Sequence, residues 1–230
     1  MKTNNYNIEK IIEFLTIKGN TNFINQQELL KIKSKLNKNT YKIYELYPDC
    51  NKVILYKKNT PTVKLLKICS GTGLRHQDIL GAVFSLGLKD DMFGDILKYN
   101  GNYYIFVVPL ISTYLQNSLN SIRNTSVVIE EVPLSIANNF IQEFITYEII
   151  VSSLRIDNVI SSLIKLSRQD VLIKFKNKEI VLNYKEELKP ARTLKENDIF
   201  SVKNFGKFKY YGIIKRTKKG GFIIKILKYN

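Results

Sequence analysis

The sequence predicts an α+β protein built in three parts, and three observations predict it. Apolar residues recur at three- and four-residue spacing over 6–38, the period of a helix. Between residues 41 and 132, short strand-like runs interleave with helical runs. From residue 151 onward Lys and Arg number 19 against 7 Asp and Glu, so this stretch carries +12 of the chain's net +16. The expected parts are an N-terminal α/β domain over 1–68, a central α+β domain over 69–150, and a basic domain over 151–230 that ends in a hairpin.

At 230 residues and 44% hydrophobic content the chain can bury a sizeable core. Its one-sided charge favours a polyanionic partner, nucleic acid ahead of an anionic membrane surface. No apolar run approaches the roughly 18–20 residues that a bilayer span requires. The opening Met-Lys-Thr-Asn-Asn-Tyr-Asn is polar, without a signal-peptide hydrophobic region, which points to the cytoplasm. Cys50 and Cys69 are the only cysteines and His76 the only histidine, too few for a metal site. No metal, cofactor or small-molecule substrate is expected, and the two cysteines read as buried reduced thiols. Lys outnumbers Arg 30 to 6. Each arginine is therefore informative, because its planar fork grips phosphate in a way that lysine cannot.

In chain order, Ile8, Ile11, Ile12 and Leu15 form one helical stripe, and Leu29, Leu30, Ile32 and Leu36 a second. The polar Lys18–Asn22 separates them. YKIYELY (41–47) and KVILYK (52–57) alternate as strands do, with Pro48-Asp49 as the turn. A strand over 63–68, a loop at Gly71-Thr72-Gly73 and a helix over Gln77–Leu86 follow. Asn100-Gly101-Asn102 turns into a buried strand over 103–108. A helix over 111–122, a strand over 126–132 and a helix over Leu134–Ile149 complete the first 150 residues.

The basic segment begins with a helix whose apolar face is Ile156, Val159, Ile160, Leu163 and Ile164, leaving Arg155, Asn158, Ser162 and Lys165 more exposed. Asp157 sits in the first turn, where the helix dipole favours a carboxylate. Ser167 and Asp170 fit a Ser-x-x-Asp capping box that starts a second helix. Arg168 then lies in the first turn, pointing outward beside backbone N–H groups that suit a phosphate. Asn177-Lys178 is a turn, IVLN (180–183) a strand and IFSV (199–202) another. Residues 208–214 and 222–228 close a hairpin over Lys218-Lys219-Gly220-Gly221.

Arg155-Ile156-Asp157, Ser167-Arg168-Gln169, the strand ending at Asn183, and Glu196-Asn197-Asp198-Ile199-Phe200-Ser201-Val202 resemble, in order and spacing, an S4 RNA-binding domain. Upstream, His76-Gln77-Asp78-Ile79-Leu80-Gly81, Leu86-Gly87-Leu88 and Gly94-Asp95-Ile96-Leu97 resemble the central domain of the YlmH family, bacterial S4-containing proteins with relatives in photosynthetic organisms. Asn204-Phe205-Gly206-Lys207-Phe208 resembles that family's motif after the last S4 strand. The resemblance covers about residues 65–230. It implies an N-terminal α/β domain, a central RRM-like domain and a C-terminal S4 domain of the αL type. It also implies binding to structured rRNA or tRNA, association with the large ribosomal subunit, and rescue of obstructed nascent chains. The gene neighbourhood of the family is often linked to cell division. Three departures stand out: Lys178 replaces the usual glycine, Gln77 an arginine, and Asp90 a basic residue. The last two make the central domain the poorer phosphate binder, so the main RNA contact is expected in the C-terminal domain.

The candidate RNA contacts are Arg155, Arg168, Gln169, Lys174, Asn183, Lys203, Lys207, Lys209, Lys215, Arg216, Lys218 and Lys219. Two readings stay open for the hairpin lysines, RNA attraction or a solvated edge that blocks strand pairing. Asn183 either contacts RNA or simply ends a strand. Gly71-Thr72-Gly73 lacks the remainder of any nucleotide-binding loop. His76 and Asp78 stand two apart, so they do not face each other on a helix. Tyr103, Tyr104 and Phe106 lack the basic-Gly-aromatic signature of a base-stacking strand and read as core. The reading is a non-catalytic RNA-binding protein. The alternative is an RNA-modifying enzyme, such as a pseudouridine synthase using S4 as its RNA-binding module. It would need a nucleophilic Asp or nucleotide motifs within 1–150, and neither is found. An anionic-membrane or cell-division adaptor is a third, weaker reading.

Overall fold

The first apolar stripes fold into two helices, α1 (Thr3–Lys18) and α2 (Gln26–Lys35). The computed structural model describes residues 3–71, 73–140, 144–218 and 220–229, with side chains from residue 7 onward. The chain divides into two compact units, Met1–Ile141 and Gln142–Asn230.

In the first unit, Ile8 and Leu15 of α1 and Leu29 and Ile32 of α2 are buried. Asn25 caps α2 through a reciprocal pair: its side chain accepts from the Glu28 N–H at 3.0 Å, and the Glu28 carboxylate accepts from the Asn25 N–H at 2.9 Å. Strands β1 (Ile24–Asn25), β2 (Lys42–Glu45) and β3 (Lys52–Tyr56) form an antiparallel sheet in the order β1-β3-β2.

The second sheet contains β4 (Lys64–Ser70), β5 (Phe93–Tyr99), β6 (Asn102–Val107), β7 (Ser121–Ile122) and β8 (Thr125–Val132), in the order β5-β6-β4-β8-β7 and antiparallel throughout. Helices α3 (His76–Ser85) and α4 (Pro109–Ser118) connect its strands. Side-chain alternation gives the sheet two apolar faces. Leu66, Ile68, Ile105 and Val107 share a core with Ile79, Val83, Ile111 and Leu115 of the two helices. Leu65, Tyr104 and Phe106 share the other core with α1, α2, Tyr47 and Phe140.

Strand β5 is absent from the sequence expectation because it opens Phe-Gly-Asp, and Gly and Asp are depleted in strands. Both have structural reasons. A Cβ on Gly94 would stand 2.9–3.0 Å from Phe23, Leu46 and Phe106. Asp95 is buried and accepts from the Tyr47 hydroxyl at 2.6 Å and the Asn51 N–H at 2.7 Å. Burial nevertheless pushes the Asp95 carboxyl up, and burial beside Asp95 does the same to Tyr47. Asp90, the expected departure from a basic residue, pairs with Lys52 at 2.8 Å.

The helix expected over Leu134–Ile149 is not formed. Leu134–Asn139 is a short 3-10 segment, and β9 (Phe144–Val151) is a strand. Its β-branched residues Ile145, Thr146, Ile149, Ile150 and Val151 suit a pleated surface. Pairing with β14 (Phe222–Tyr229) along all eight residues overrides the helical spacing. The rest of the second unit comprises α5 (Ile156–Ile164), α6 (Arg168–Lys176), β10 (Ile180–Leu182), β11 (Lys185–Glu186), β12 (Ile199–Val202) and β13 (Gly206–Arg216). Its antiparallel sheet runs β11-β10-β12-β13-β14-β9. One core joins Ile156, Val159, Ile160 and Leu163 of α5 and Val171 and Phe175 of α6 to Phe200, Phe208, Tyr210, Ile224 and Ile226. Lys178 adopts the left-handed conformation at φ +57°, a backbone position that costs a residue bearing a Cβ more than it costs glycine.

Gly94→Ala is expected to destabilise the first unit by about 1–3 kcal/mol through overpacking, read as a lower denaturant midpoint in equilibrium unfolding. An unchanged midpoint would contradict the close packing around Gly94.

Candidate nucleic-acid interface

The second unit concentrates its polar contacts where α5 and α6 begin. Arg155 precedes α5 and grips the Asp157 carboxylate with two nitrogens, at 3.1 and 2.7 Å. Burial pushes the Asp157 carboxyl upward. The Arg155 hydrogen bonds, the Asn158 N–H at 2.8 Å and the charges of Arg155 and Arg168 outweigh it, and hold the group below the ordinary carboxylate range. Asp157 is thus part of the frame, as its position in the first turn suggested.

Asn158, expected on the exposed side of α5, is buried. Its amide donates to Ser152 Oγ and Ser153 O at 3.2 and 2.9 Å, and its carbonyl oxygen accepts from Arg168 Nη2 at 2.8 Å. Arg168 is exposed as a residue yet anchored at one nitrogen, which corrects the expectation that it simply points outward. Asn158 was missed because the apolar period of α5 says nothing about the 152–153 loop folding over its first turn.

The two helix N-termini differ. At α5, the N–H groups of Ile156 and Asp157 are taken by the carbonyls of Arg192 and Pro190, at 2.8 and 3.2 Å. At α6, Ser167 Oγ accepts from the Asp170 N–H at 3.1 Å, as the capping motif predicted. The N–H groups of Arg168 and Gln169 lie in that first turn, where a helix supplies no acceptor of its own.

The other candidates fall into several settings. Lys174 is bonded to Glu179 at 2.8 Å and lies 5.3 Å from the Phe205 ring. Asn183 takes a left-handed turn position and clamps the start of β12, donating to Asp198 at 2.8 Å and accepting from the Ile199 N–H at 2.9 Å. Lys203 is exposed. On β13, Lys207 lies 5.1 and 4.3 Å from the rings of Tyr184 and Tyr229, and Lys209 stands opposite Ile199. At the hairpin tip Lys215 and Lys218 are exposed, and Arg216 covers Phe222 at 5.4 Å. Lys219 lies outside the described residues. The loop is closed by Thr217, whose hydroxyl accepts from the Gly221 N–H at 2.9 Å.

In the first unit, Tyr103, Tyr104 and Phe106 do not present a stacking surface. Tyr104 and Phe106 are buried, with ring centroids 5.2 and 6.0 Å from Phe140. Tyr103 is on the other face and donates to the Leu74 carbonyl at 3.1 Å. Asp78 is held by Arg75 at 3.0 Å and Arg123 at 3.2 Å. Cys50 is buried, which pushes its thiol up to about 11, whereas Cys69 is only half-buried. Among the described residues no group of three or more His, Cys, Asp or Glu is placed to hold a metal, and no helix is long and apolar enough to cross a membrane.

These features define a basic, two-unit α+β protein with a charged helix pair and no metal cluster among the described residues. Residues 67–136 match the family model described as "Putative RNA-binding domain in YlmH". The chain is 30% identical over 144 residues to the ribosome-associated protein quality control protein P2 of Bacillus subtilis, a match that covers 63% of this chain and 56% of that relative. It thus spans little more than half the relative's length. A solved structure, the cell division protein ylmH from Streptococcus pneumoniae, aligns with 58% of this chain and 91% of its own at 19% identity and a TM-score of 0.46. Over residues 67–136 the chain is thus similar to a domain found in YlmH proteins.

Asp157 and Glu179 both lie below their ordinary values of 3.8 and 4.5. Their stabilisation is therefore complete above those values and lost as pH falls through the lower folded values. The stability advantage of the wild type over Asp157→Asn is expected to be present at neutral pH and to shrink below about pH 4, measured by denaturant unfolding across pH. A difference that does not change with pH would contradict this assignment.

Proposed function

We propose that this protein is a non-catalytic RNA-binding protein whose second unit is an S4-type module of the αL kind. In this reading it docks on structured rRNA or tRNA of the large ribosomal subunit, in the cytoplasm, and serves quality control or rescue of stalled nascent chains. The observation that carries the reading is the Arg168 guanidinium, tied at one nitrogen to buried Asn158 and exposed at the first turn of capped α6. Pinning one nitrogen leaves the other donors aimed from a fixed base, so little rotamer entropy is lost when a phosphate arrives. The +12 charge of residues 151–230 supports the same reading. The name of the Bacillus subtilis relative and the family model over residues 67–136, in the first unit, support RNA binding by the chain without bearing on which unit makes the main contact.

The division into parts at residues 68 and 150 belongs to this proposal, with the strands at 64–70 and 144–151 going to the sheets they complete. The strand–helix–strand–strand–helix–strand order of β4, α3, β5, β6, α4 and β8, with the two-residue β7 added at the sheet edge, is read as RRM-like. Its usual base-stacking face is occupied by Tyr47 and Phe140, so any RNA contact by residues 67–136 uses another surface, and the base-independent phosphate contacts are assigned to the second unit. Arg155 and the lysines of β13 and the hairpin then add phosphate contacts that are largely indifferent to sequence.

Arg168→Ala is expected to weaken binding to purified ribosomal RNA by about 1–3 kcal/mol and to reduce the salt slope by about one. Lys218→Ala should lower the slope similarly with a smaller loss of affinity. Filter binding over a salt series and co-sedimentation with ribosomes measure both. If neither variant changes RNA affinity or co-sedimentation, the proposed docking mode is wrong.

A further inference from the structure

Helix α6 is apolar on two sides. Val171 and Phe175 enter the core, while Leu172 and Ile173 on its outer side remain 38% and 50% exposed. Facing them, Leu188 is 58% exposed. Together with Gln169, Lys176 and Pro190 these residues line one groove between α6 and the 187–190 loop. Three large exposed aliphatic side chains around one groove are more than scattered surface residues would give.

The loop wall of the groove is held in place. Glu187 is buried; its carboxylate accepts from the Lys189 N–H at 2.9 Å and pairs with Arg192 at 3.3 Å. The Glu187 N–H donates to Ile180 O at 3.0 Å, and the Pro190 carbonyl accepts from the Asp157 N–H at 3.2 Å. The groove is therefore pre-formed, as ligand sites usually are. Its surroundings are cationic: residues 168–176 and 185–192 hold six Lys and Arg against three Asp and Glu.

We propose that this groove receives an unpaired nucleobase extruded from the bound RNA. Aliphatic walls cover the faces of the base, the Gln169 amide offers both a donor and an acceptor to its edge, and Lys176 and Arg168 meet the flanking phosphates. Lys174 and Arg192 are already paired with Glu179 and Glu187. A purely apolar peptide would leave the remaining excess of positive charge, Arg168 and Lys176 included, without counter-charge, whereas a nucleotide satisfies both chemistries. The inference rests on the RNA-binding reading and adds a feature to it: discrimination between RNA with an unpaired base and uninterrupted duplex.

The test uses the full chain and ribosomal RNA transcribed with 4-thiouridine, irradiated and mapped by mass spectrometry. Crosslinks are expected on the peptides holding Leu172, Ile173 and Leu188, at nucleotides unpaired in the RNA secondary structure. They should fall about fivefold or more in Leu188→Ser or Leu172→Ser, variants at exposed positions whose folding is checked by thermal melting. Crosslinks that avoid the groove, or that persist undiminished in both variants, overturn the inference while leaving RNA binding intact. That result would give the groove to another occupant, such as a protein segment. A wild-type chain that retains no ribosomal RNA overturns this inference and the proposed function together.

Discussion

The buried amide of Asn158 is the contact on which the helix pair depends. A polar side chain in this position would be costly without partners. Here both ends of the amide are used, one on the 152–153 loop and the other on Arg168 of α6. Three segments distant in role, a loop, the first turn of one helix and the first turn of the next, are thereby fixed to each other. Asp157 beside it performs the parallel task for Arg155. The two arginines are held at the starts of α5 and α6 by neighbouring residues of one turn, so their spacing is a property of the fold and not of side-chain chance.

The same economy of contacts separates the two units chemically. In the first, the sheet face opposite the helices is filled by aromatic packing among Tyr47, Tyr99, Tyr104, Phe106 and Phe140. Gly94 permits the close approach of Phe23 and Leu46 to that layer. Near the start of α3 one carboxylate, Asp78, holds both Arg75 and Arg123, which ties down both guanidinium groups and offsets half of their charge. In the second unit, positive charge exceeds what the local carboxylates can neutralise. The proposed RNA contact follows this division, and Lys174, paired with Glu179, is the candidate whose charge is most fully used inside the fold.

Periodicity and capping chemistry revealed α5, α6 and the Ser167 cap because those signals are local. Elements that depend on distant partners were not readable in the same way. Residues 144–151 become a strand through eight-residue pairing with a strand some eighty residues later, and no local pattern encodes that partner. Strand β5 carries, directly after its first residue, a glycine and an aspartate whose reasons lie in Phe23, Leu46, Phe106 and Tyr47. Asn158 looked like a polar residue on a solvated face because its burial comes from the loop before the helix and the arginine after it. The Asn183 side chain, which the sequence left between an RNA contact and a strand end, clamps Asp198 and Ile199. Lys178 shows the converse: its residue type does not announce a left-handed turn, yet it takes one at φ +57°.

In the proposed docking mode Asn158 and Arg168 act as one unit toward RNA. A double-mutant cycle of Asn158→Ala and Arg168→Ala on affinity for ribosomal RNA tests it most directly, with folding of each variant verified at the temperature of measurement. Residues in direct contact typically couple by about 0.5–3 kcal/mol. The account predicts a coupling in that range, with the double variant binding little worse than Arg168→Ala alone. Strictly additive losses, or an Asn158→Ala variant that binds RNA as the wild type does, would contradict it.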